Sequence, residues 1–191
     1  MMYYFNHNKK GFTLIETLIA LLIFATAITA MMSITSHGIT NMTSVKNKYI
    51  ANYLAEEGLE IVRYVRDDLY VKGQPFLPNF TDTISSCANG CNADPILLFQ
   101  NQGRLNDVFV ECNPLENCRV RTDADGYYRG DLSTTELTTF TRIITVDTDG
   151  VDSEQAEHEL HVKSVVTWEE GLLTHSVSSE EHLFDWFTIA D

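Results

Sequence analysis

The spacing of apolar and polar positions divides the chain into regions with different needs. Thr17–Ser36 is an uncharged, predominantly apolar run of 20 residues, and from Thr17 to Val45 there is no Asp, Glu, Lys or Arg. A helix needs roughly 20 such residues to cross a bilayer core. Further on the apolar positions thin to one stripe. Ile50, Leu54, Ile61, Val65 and Leu69 recur at steps of four, seven, four and four, and Gly58 fills the intervening slot. That is helical periodicity with one apolar face. Lys46, Lys48, Glu56, Glu60, Arg63 and Asp67 occupy the other side. Among them the steps Glu56–Glu60–Arg63–Asp67 bring charges of mixed sign within reach of each other. Gly73 and Pro75 then stop the pattern. One helix from about Phe12 to Leu69 is expected, about 85 Å long at 1.5 Å per residue. Its part at 12–36 calls for lipid or other helices, and its continuation at 37–70 calls for a domain on one face. Gly38 is the weakest interior point, at a cost of about 1 kcal/mol relative to alanine. Gly58 is expected to mark close packing of a strand or loop.

Beyond Pro75 the pattern becomes one of short strands and loops. Pro95-Ile96-Leu97-Leu98-Phe99 and Val108-Phe109-Val110 are short apolar runs, and Phe140–Val146 is rich in β-branched residues. Leu160, Val162, Ser164, Val166 and Trp168 alternate with His161, Lys163, Val165 and Thr167, a period of two. Glu169-Glu170-Gly171 turns the chain into Leu172–Val177. These runs predict an antiparallel meander with strands at about 139–147, 159–169 and 172–179. Asp147-Thr148-Asp149-Gly150 forms its first hairpin loop, and Leu183, Phe184, Trp186 and Phe187 pin the tail to the core. The fold class expected is α+β: a long N-terminal helix packed on a C-terminal antiparallel sheet. The head spans 71–191, with a loop insertion at 73–135 and the sheet at 139–179.

Charge sharpens this division. The 191 residues carry a net charge of -14, and residues 1–68 are balanced. Residues 69–191 hold seven Lys or Arg against 21 Asp or Glu, so all the excess acid lies in the head. An acidic head repels phosphate backbones, and bulk nucleic-acid binding is not expected. Cys87, Cys91, Cys112 and Cys118 all lie in this part. An even number of cysteines beyond a membrane segment points to disulfides in an oxidising compartment, with three pairings open. Zinc is the alternative, but only the C-x3-C pair has ligand spacing; C-x5-C is too wide.

Two acidic clusters invite a calcium reading: Asp123-Ala124-Asp125-Gly126, and the loop holding Asp147, Asp149, Asp152 and Glu154. Neither has EF-hand spacing, and Asp-Gly is also a hairpin turn, so a turn is expected and no cofactor is required. The histidines are scattered, with His161 and His175 as potential cross-strand neighbours on an exposed sheet face. No phosphate-binding glycine loop, nucleophile elbow or H-E-x-x-H occurs, and no enzymatic activity is expected.

The chain's start carries its most specific motif. Lys9-Lys10-Gly11-Phe12-Thr13-Leu14-Ile15-Glu16 precedes the apolar run and places a carboxylate one turn inside it. An ionised group at that depth costs roughly 3 kcal/mol or more unless it finds a partner. An ordinary signal peptide is the competing reading, with Ala25-Thr26-Ala27 as a cleavage site, but Glu16 interrupts its apolar core. The string resembles the processing motif of type IV prepilins and type II secretion pseudopilins. That resemblance implies a leader at 1–11, cleavage by a prepilin peptidase between Gly11 and Phe12, and methylation of the Phe12 amine. It also makes Glu16 the fifth residue of the mature chain. In a filament, Glu16 of one subunit would then meet the Phe12 amine of a neighbour, pairing both charges in a low-dielectric core.

Softer similarities lie in Tyr53–Glu60, Thr139–Arg142, Val166–Trp168 and Leu183–Trp186. They resemble minor pilins of the pilus-modification kind. The expected function is a minor type IV pilin, with a type II secretion or competence pseudopilin, or a non-polymerising membrane-tethered adhesin, as alternatives. Expected partners are other pilin subunits, the prepilin peptidase, an inner-membrane assembly platform and the membrane. Lys9 and Lys10 place the N-terminus in the cytoplasm and the head outside.

Overall fold

The computed structural model describes residues 11–74, 90–100, 108–130, 132, 136–147 and 159–184. The chain forms two units, Met1–Val45 and Lys46–Asp191. Helix α1 (Leu14–Val71) contributes to both. It runs two residues past the expected end, and Gly73 follows with φ 67°.

In the first unit, every residue from Gly11 to Thr43 is exposed. Leu14, Ile15, Ile19, Ile23, Phe24 and Ile34 are each more than half exposed and lie all round the axis. The segment's threonines do not spoil its fitness for lipid. Thr17, Thr26, Thr29, Thr35, Thr40 and Thr43 each donate a hydroxyl to a carbonyl three or four residues earlier. Satisfying hydroxyls within the segment removes the cost of burying them in hydrocarbon.

In the second unit, α1 buries one face. Ala51, Leu54, Ala55, Gly58, Leu59, Ile61, Val62, Val65 and Leu69 face an antiparallel sheet of seven strands. These are β1 (Cys91–Ala93), β2 (Phe109–Glu111), β3 (Arg119–Thr122), β4 (Tyr128–Arg129), β5 (Glu136–Asp147), β6 (Glu159–Glu170) and β7 (Leu173–Phe184). The meander β5–β6–β7 is its frame. Arg142 pairs with Val166 across β5–β6, and Val166 with Val177 across β6–β7. On its other edge β5 pairs with β1 at Ile144 and with β3 at Thr141, Leu137 and Glu136; β2 extends β1, and β4 extends β3. The short strands come from described parts of the insertion, where a loop was expected.

The alternation expected along β6 is present: Leu160, Val162, Ser164, Val166 and Trp168 are buried and their neighbours are not, apart from the partial cover of an outer face. Phe140, Val166, Trp168 and Val120 pack on Ala51, Leu54 and Ala55; Ile144, Leu160, Val162 and Leu183 pack with Leu59, Val62, Val65 and Leu69. Each buried valine or leucine contributes about 1.5–3 kcal/mol. Gly58 sits where the sheet comes closest. A Cβ built there would lie 2.5 Å from Ser164 Oγ and 3.3 Å from Ile144 Cγ1. The expectation of close strand packing at Gly58 therefore holds.

Three expectations change. Pro95–Gln100 is a short helix, α2, not a strand or loop. Asp94 caps it, accepting the Ile96 and Leu97 amides at 2.8 and 3.1 Å, while Pro95 provides the preset φ of a first helical residue. Second, β7 continues to Phe184 instead of ending near 179; Leu183 is buried, but Phe184 is 48% exposed and pins nothing. Trp186 and Phe187 lie outside the described residues. Third, His161 does not face His175. The hairpin closes with Glu170 opposite Leu173 over Gly171-Leu172, and Gly171 takes φ 64°. That two-residue turn sets His161 against His182 and puts His175 opposite Trp168.

Candidate functional site

The motif residues sit at the start of α1, and their local chemistry follows from the string itself. Gly11, Phe12 and Thr13 are not helical. Thr13 supplies the cap: its carbonyl accepts the Glu16 and Thr17 amides, and its hydroxyl lies 3.4 Å from the Glu16 nitrogen. Threonine followed three residues later by glutamate is the capping-box spacing. The Gly11–Phe12 bond therefore precedes the helix, in backbone with no internal hydrogen bonds to break. Phe12 is 82% exposed, and nothing lies within 4 Å of where a Gly11 side chain would begin. A peptidase needs such an open, non-helical bond.

Glu16 lies in the first turn, where the helix N-terminus favours a negative charge. It forms no ion pair among the described residues. The cations of α1, and Lys72 just past its end, lie from Lys46 onward. Arg63 bonds Glu60 and Glu181, Arg66 bonds Asp67, and Lys72 bonds Asp68. The Glu181 hydrogen bond is the main cause that raises the Arg63 pKa above its already high ordinary value. The apolar window behind Glu16 is long enough to cross a membrane and wholly exposed. Full exposure separates it from the core helix of a soluble domain.

The other expected sites are placed as follows. Cys112 and Cys118 form a disulfide, closing the turn that holds the 3-10 segment Leu115–Cys118. Cys91 is also disulfide-bonded, which leaves no described cysteine for zinc. Cys87 lies outside the described residues. Asp123 builds a turn: its carboxylate accepts the Asp125 and Tyr127 amides and lies 3.7 Å from Arg129. Asp147 ends β5. Asp149, Asp152 and Glu154 lie outside the described residues, so the acidic-loop calcium reading is not addressed by the structure. No group of three His, Cys, Asp or Glu side chains is arrayed around one point among the described residues.

Two polar groups that organise the head escaped the sequence reading. Arg142 is 1% exposed on the helix-facing side of β5. It donates to Asn92 Oδ1 at 2.8 Å, Glu57 Oε1 at 2.8 Å, the Leu54 carbonyl at 3.2 Å and the Ala93 carbonyl. One guanidinium thus ties α1, β1 and β5 together. Its signal was available: Phe140, Arg142 and Ile144 share a parity, so the charge had to point inward. Asp94 is fully buried; besides capping α2 it accepts Arg129 Nε at 2.9 Å and the Gly130 amide at 3.0 Å.

A capped, exposed apolar helix with an open Gly–Phe bond before it, continued by a helix half that packs on a disulfide-bearing antiparallel sheet, defines a membrane-anchorable α+β protein with a prepilin-type start. Comparison with known proteins agrees. The family described as the prokaryotic N-terminal methylation motif matches residues 6–32. Type II secretion system protein I of Escherichia coli is 42% identical over 48 residues, which is 25% of this chain and 39% of that protein. The match thus covers well under half the length of that curated relative. No solved structure matches the chain. Both likenesses are confined to the N-terminal part of the chain, which is similar to prepilin-type proteins there.

Proposed function

We propose that the chain is a minor type IV pilin, a structural subunit rather than a catalyst. A prepilin peptidase cuts the precursor between Gly11 and Phe12 and methylates the Phe12 amine. Helix residues 12–36 hold the mature subunit in the membrane and then in a filament, with the N-terminus starting on the cytoplasmic side and the head outside. An inner-membrane assembly platform and neighbouring pilins are its partners. One observation carries the reading: Glu16 has no ion-pair partner among the described residues, yet it heads a wholly exposed apolar helix. A carboxylate in that position requires a cation from another chain, and the amine freed at Phe12 of a neighbour is one. The Cys112–Cys118 disulfide supports an extracytoplasmic head.

A pseudopilin of a secretion system is the second reading, favoured by the similarity to type II secretion system protein I. It shares the processing and the anchor and differs in the filament served.

Intact-mass and N-terminal analysis of the protein, expressed with and without a prepilin peptidase, tests the proposal. Loss of residues 1–11 plus one methyl on Phe12, only when the peptidase is present, is the expected result. A mature start near Ile28, after Ala25-Thr26-Ala27, would mean ordinary secretion and would remove the filament reading.

A further inference from the structure

The turn between β6 and β7 carries an apolar pair that the core of the head does not use. Gly171 and Leu172 close the hairpin, and Gly171 takes the positive φ that such a turn demands. Nothing about the turn asks for leucine next, where Asn, Asp or Ser is the usual choice. Yet Leu172 is wholly exposed and Leu173 is 66% exposed. The place of this tip within the head is fixed. Glu170 Oε1 accepts Asn47 Nδ2 at 2.9 Å and Trp168 Nε1 at 2.9 Å, and Trp168 packs with Ala51 and Leu54. Leu160 and Leu183, at the other end of the strand pair, pack with Val65 and Leu69. The tip therefore lies at the end of the head that begins with Lys46, where Lys46, Lys48 and Tyr49 are exposed.

We propose that the Leu172–Leu173 tip dips into the outer headgroup layer of the membrane that holds the anchor, with Lys46 and Lys48 drawn to the phosphates of anionic lipids. The inference rests on the anchor spanning a bilayer with the head outside, and not on filament assembly. Its reach follows from the chain. Thr17–Ser36 crosses the hydrocarbon core, and the uncharged residues 37–45 add about 13 Å of helix. Lys46 thus stands no farther than that from the core, and the headgroup layer takes up roughly 5–7 Å of the distance. The hairpin continues two residues past Glu170, which at about 3.3 Å per residue covers the remainder.

The chemistry of this end suits a lipid surface. Two successive exposed leucines gain by entering the boundary between headgroups and acyl chains. Lys46 and Lys48 are set at this end of a head whose excess charge is otherwise acidic, and an anionic leaflet attracts them. A tyrosine such as Tyr49 favours the same level, with its ring toward the lipid and its hydroxyl in water. One charge opposes the contact: Glu169 is exposed beside the tip, whereas Glu170 is engaged by Asn47 and Trp168. The tip is then a second, shallow attachment that limits how the head turns on its anchor.

The test uses the full-length chain at low density in vesicles of phosphatidylcholine and phosphatidylglycerol, with a spin label on some headgroups. A nitrobenzoxadiazole probe is attached at Thr174→Cys, next to the leucines; no described cysteine is free to compete. Its fluorescence should be quenched, whereas a probe at Ser178→Cys, about 13 Å farther along β7, should not be. Leu172→Ser with Leu173→Ser should cut the quenching at 174 more than about threefold. Lys46→Gln with Lys48→Gln should cut it about twofold in anionic vesicles and not in neutral ones, and Glu169→Gln should raise it in the anionic ones. No quenching at 174 overturns the proposal, as does equal quenching with leucine and with serine at the tip. A spectral change at 174 that appears only at high subunit density also overturns it, because the occupant is then a neighbouring chain. Retention on the vesicles after an alkaline carbonate wash reports the anchor separately. A chain that washes off sinks the membrane reading and this inference with it; one that stays without quenching at 174 sinks this inference alone.

Discussion

The two halves of α1 share a backbone and little else. From Gly11 to Thr43 all residues are exposed, whereas between Ala51 and Leu69 nine side positions are buried against the sheet. Each half also brings a charged group into apolar surroundings, and the two are resolved differently. In the second unit, Arg142 is enclosed by acceptors from its own chain: a glutamate, an asparagine and two backbone carbonyls. Glu16 in the first unit has a helix N-terminus but no countercharge among the described residues. A buried charge that is fully partnered is part of a finished fold. One that is not describes a fold completed by another molecule. In the head the buried guanidinium is thus partnered within its own chain, whereas Glu16 heads an apolar helix with no countercharge among the described residues.

Removing the unpaired charge should have the larger biological effect and the smaller physical effect on the isolated subunit. Glu16→Ala should leave cleavage after Gly11 and the stability of the head unchanged, while incorporation into sheared filaments falls at least tenfold relative to the membrane pool. Quantitative immunoblotting of the two fractions measures it. Equal incorporation of wild type and variant would mean that Glu16 serves only the capping of its own helix.

Removing the paired charge should do the reverse. Arg142→Ala leaves the buried Asn92 and two carbonyls without their donor, while Glu57, 34% exposed, keeps access to water. Breaking one side of such a buried network costs about 3–5 kcal/mol. Urea unfolding of the mature chain in micelles, followed by tryptophan fluorescence, should show this loss. Cleavage at Gly11 should be unaffected. A loss below about 1 kcal/mol would show that water or repacking replaces the guanidinium, and the contrast with Glu16 would collapse.

What could be read from the sequence follows the same line. The apolar stripe from Ile50 to Leu69 and the alternation from Leu160 to Trp168 were legible, because burial on one face imposes a period. The Gly11–Glu16 string was legible because a carboxylate in an apolar run has few explanations. Features set by register were not. His161 meets His182 only because Gly171-Leu172 takes two residues in the turn, and a one-residue change moves every partner. The Cys112–Cys118 pairing likewise depends on how the insertion folds, which spacing left open among three connectivities. The helix α2 was hidden by its length, since a six-residue apolar run has no distinctive period, although Asp94-Pro95 is a start signal.

The comparison sharpens to one substitution made in each half. Gly38 and Gly58 are both interior glycines of α1, and both lose backbone entropy that alanine would not. At Gly38 nothing lies within 4 Å of an added Cβ, so Gly38→Ala should stabilise the helix by up to about 1 kcal/mol. At Gly58 the added carbon meets Ser164 Oγ at 2.5 Å and Ser164 Cβ at 3.2 Å, from a strand whose inner face is packed on both sides. Ser164 is fully buried, and its hydroxyl has no hydrogen-bond partner among the described residues, so it can turn only within the same crowded layer. Overpacking of that kind costs about 1–3 kcal/mol, more than the helix gains. Gly58→Ala should therefore destabilise the head in the urea experiment. Gly38→Ala should slow amide exchange around residue 38 and leave head stability unchanged. The two signs, opposite for one chemical change, separate a helix half that packs within its own chain from one that does not.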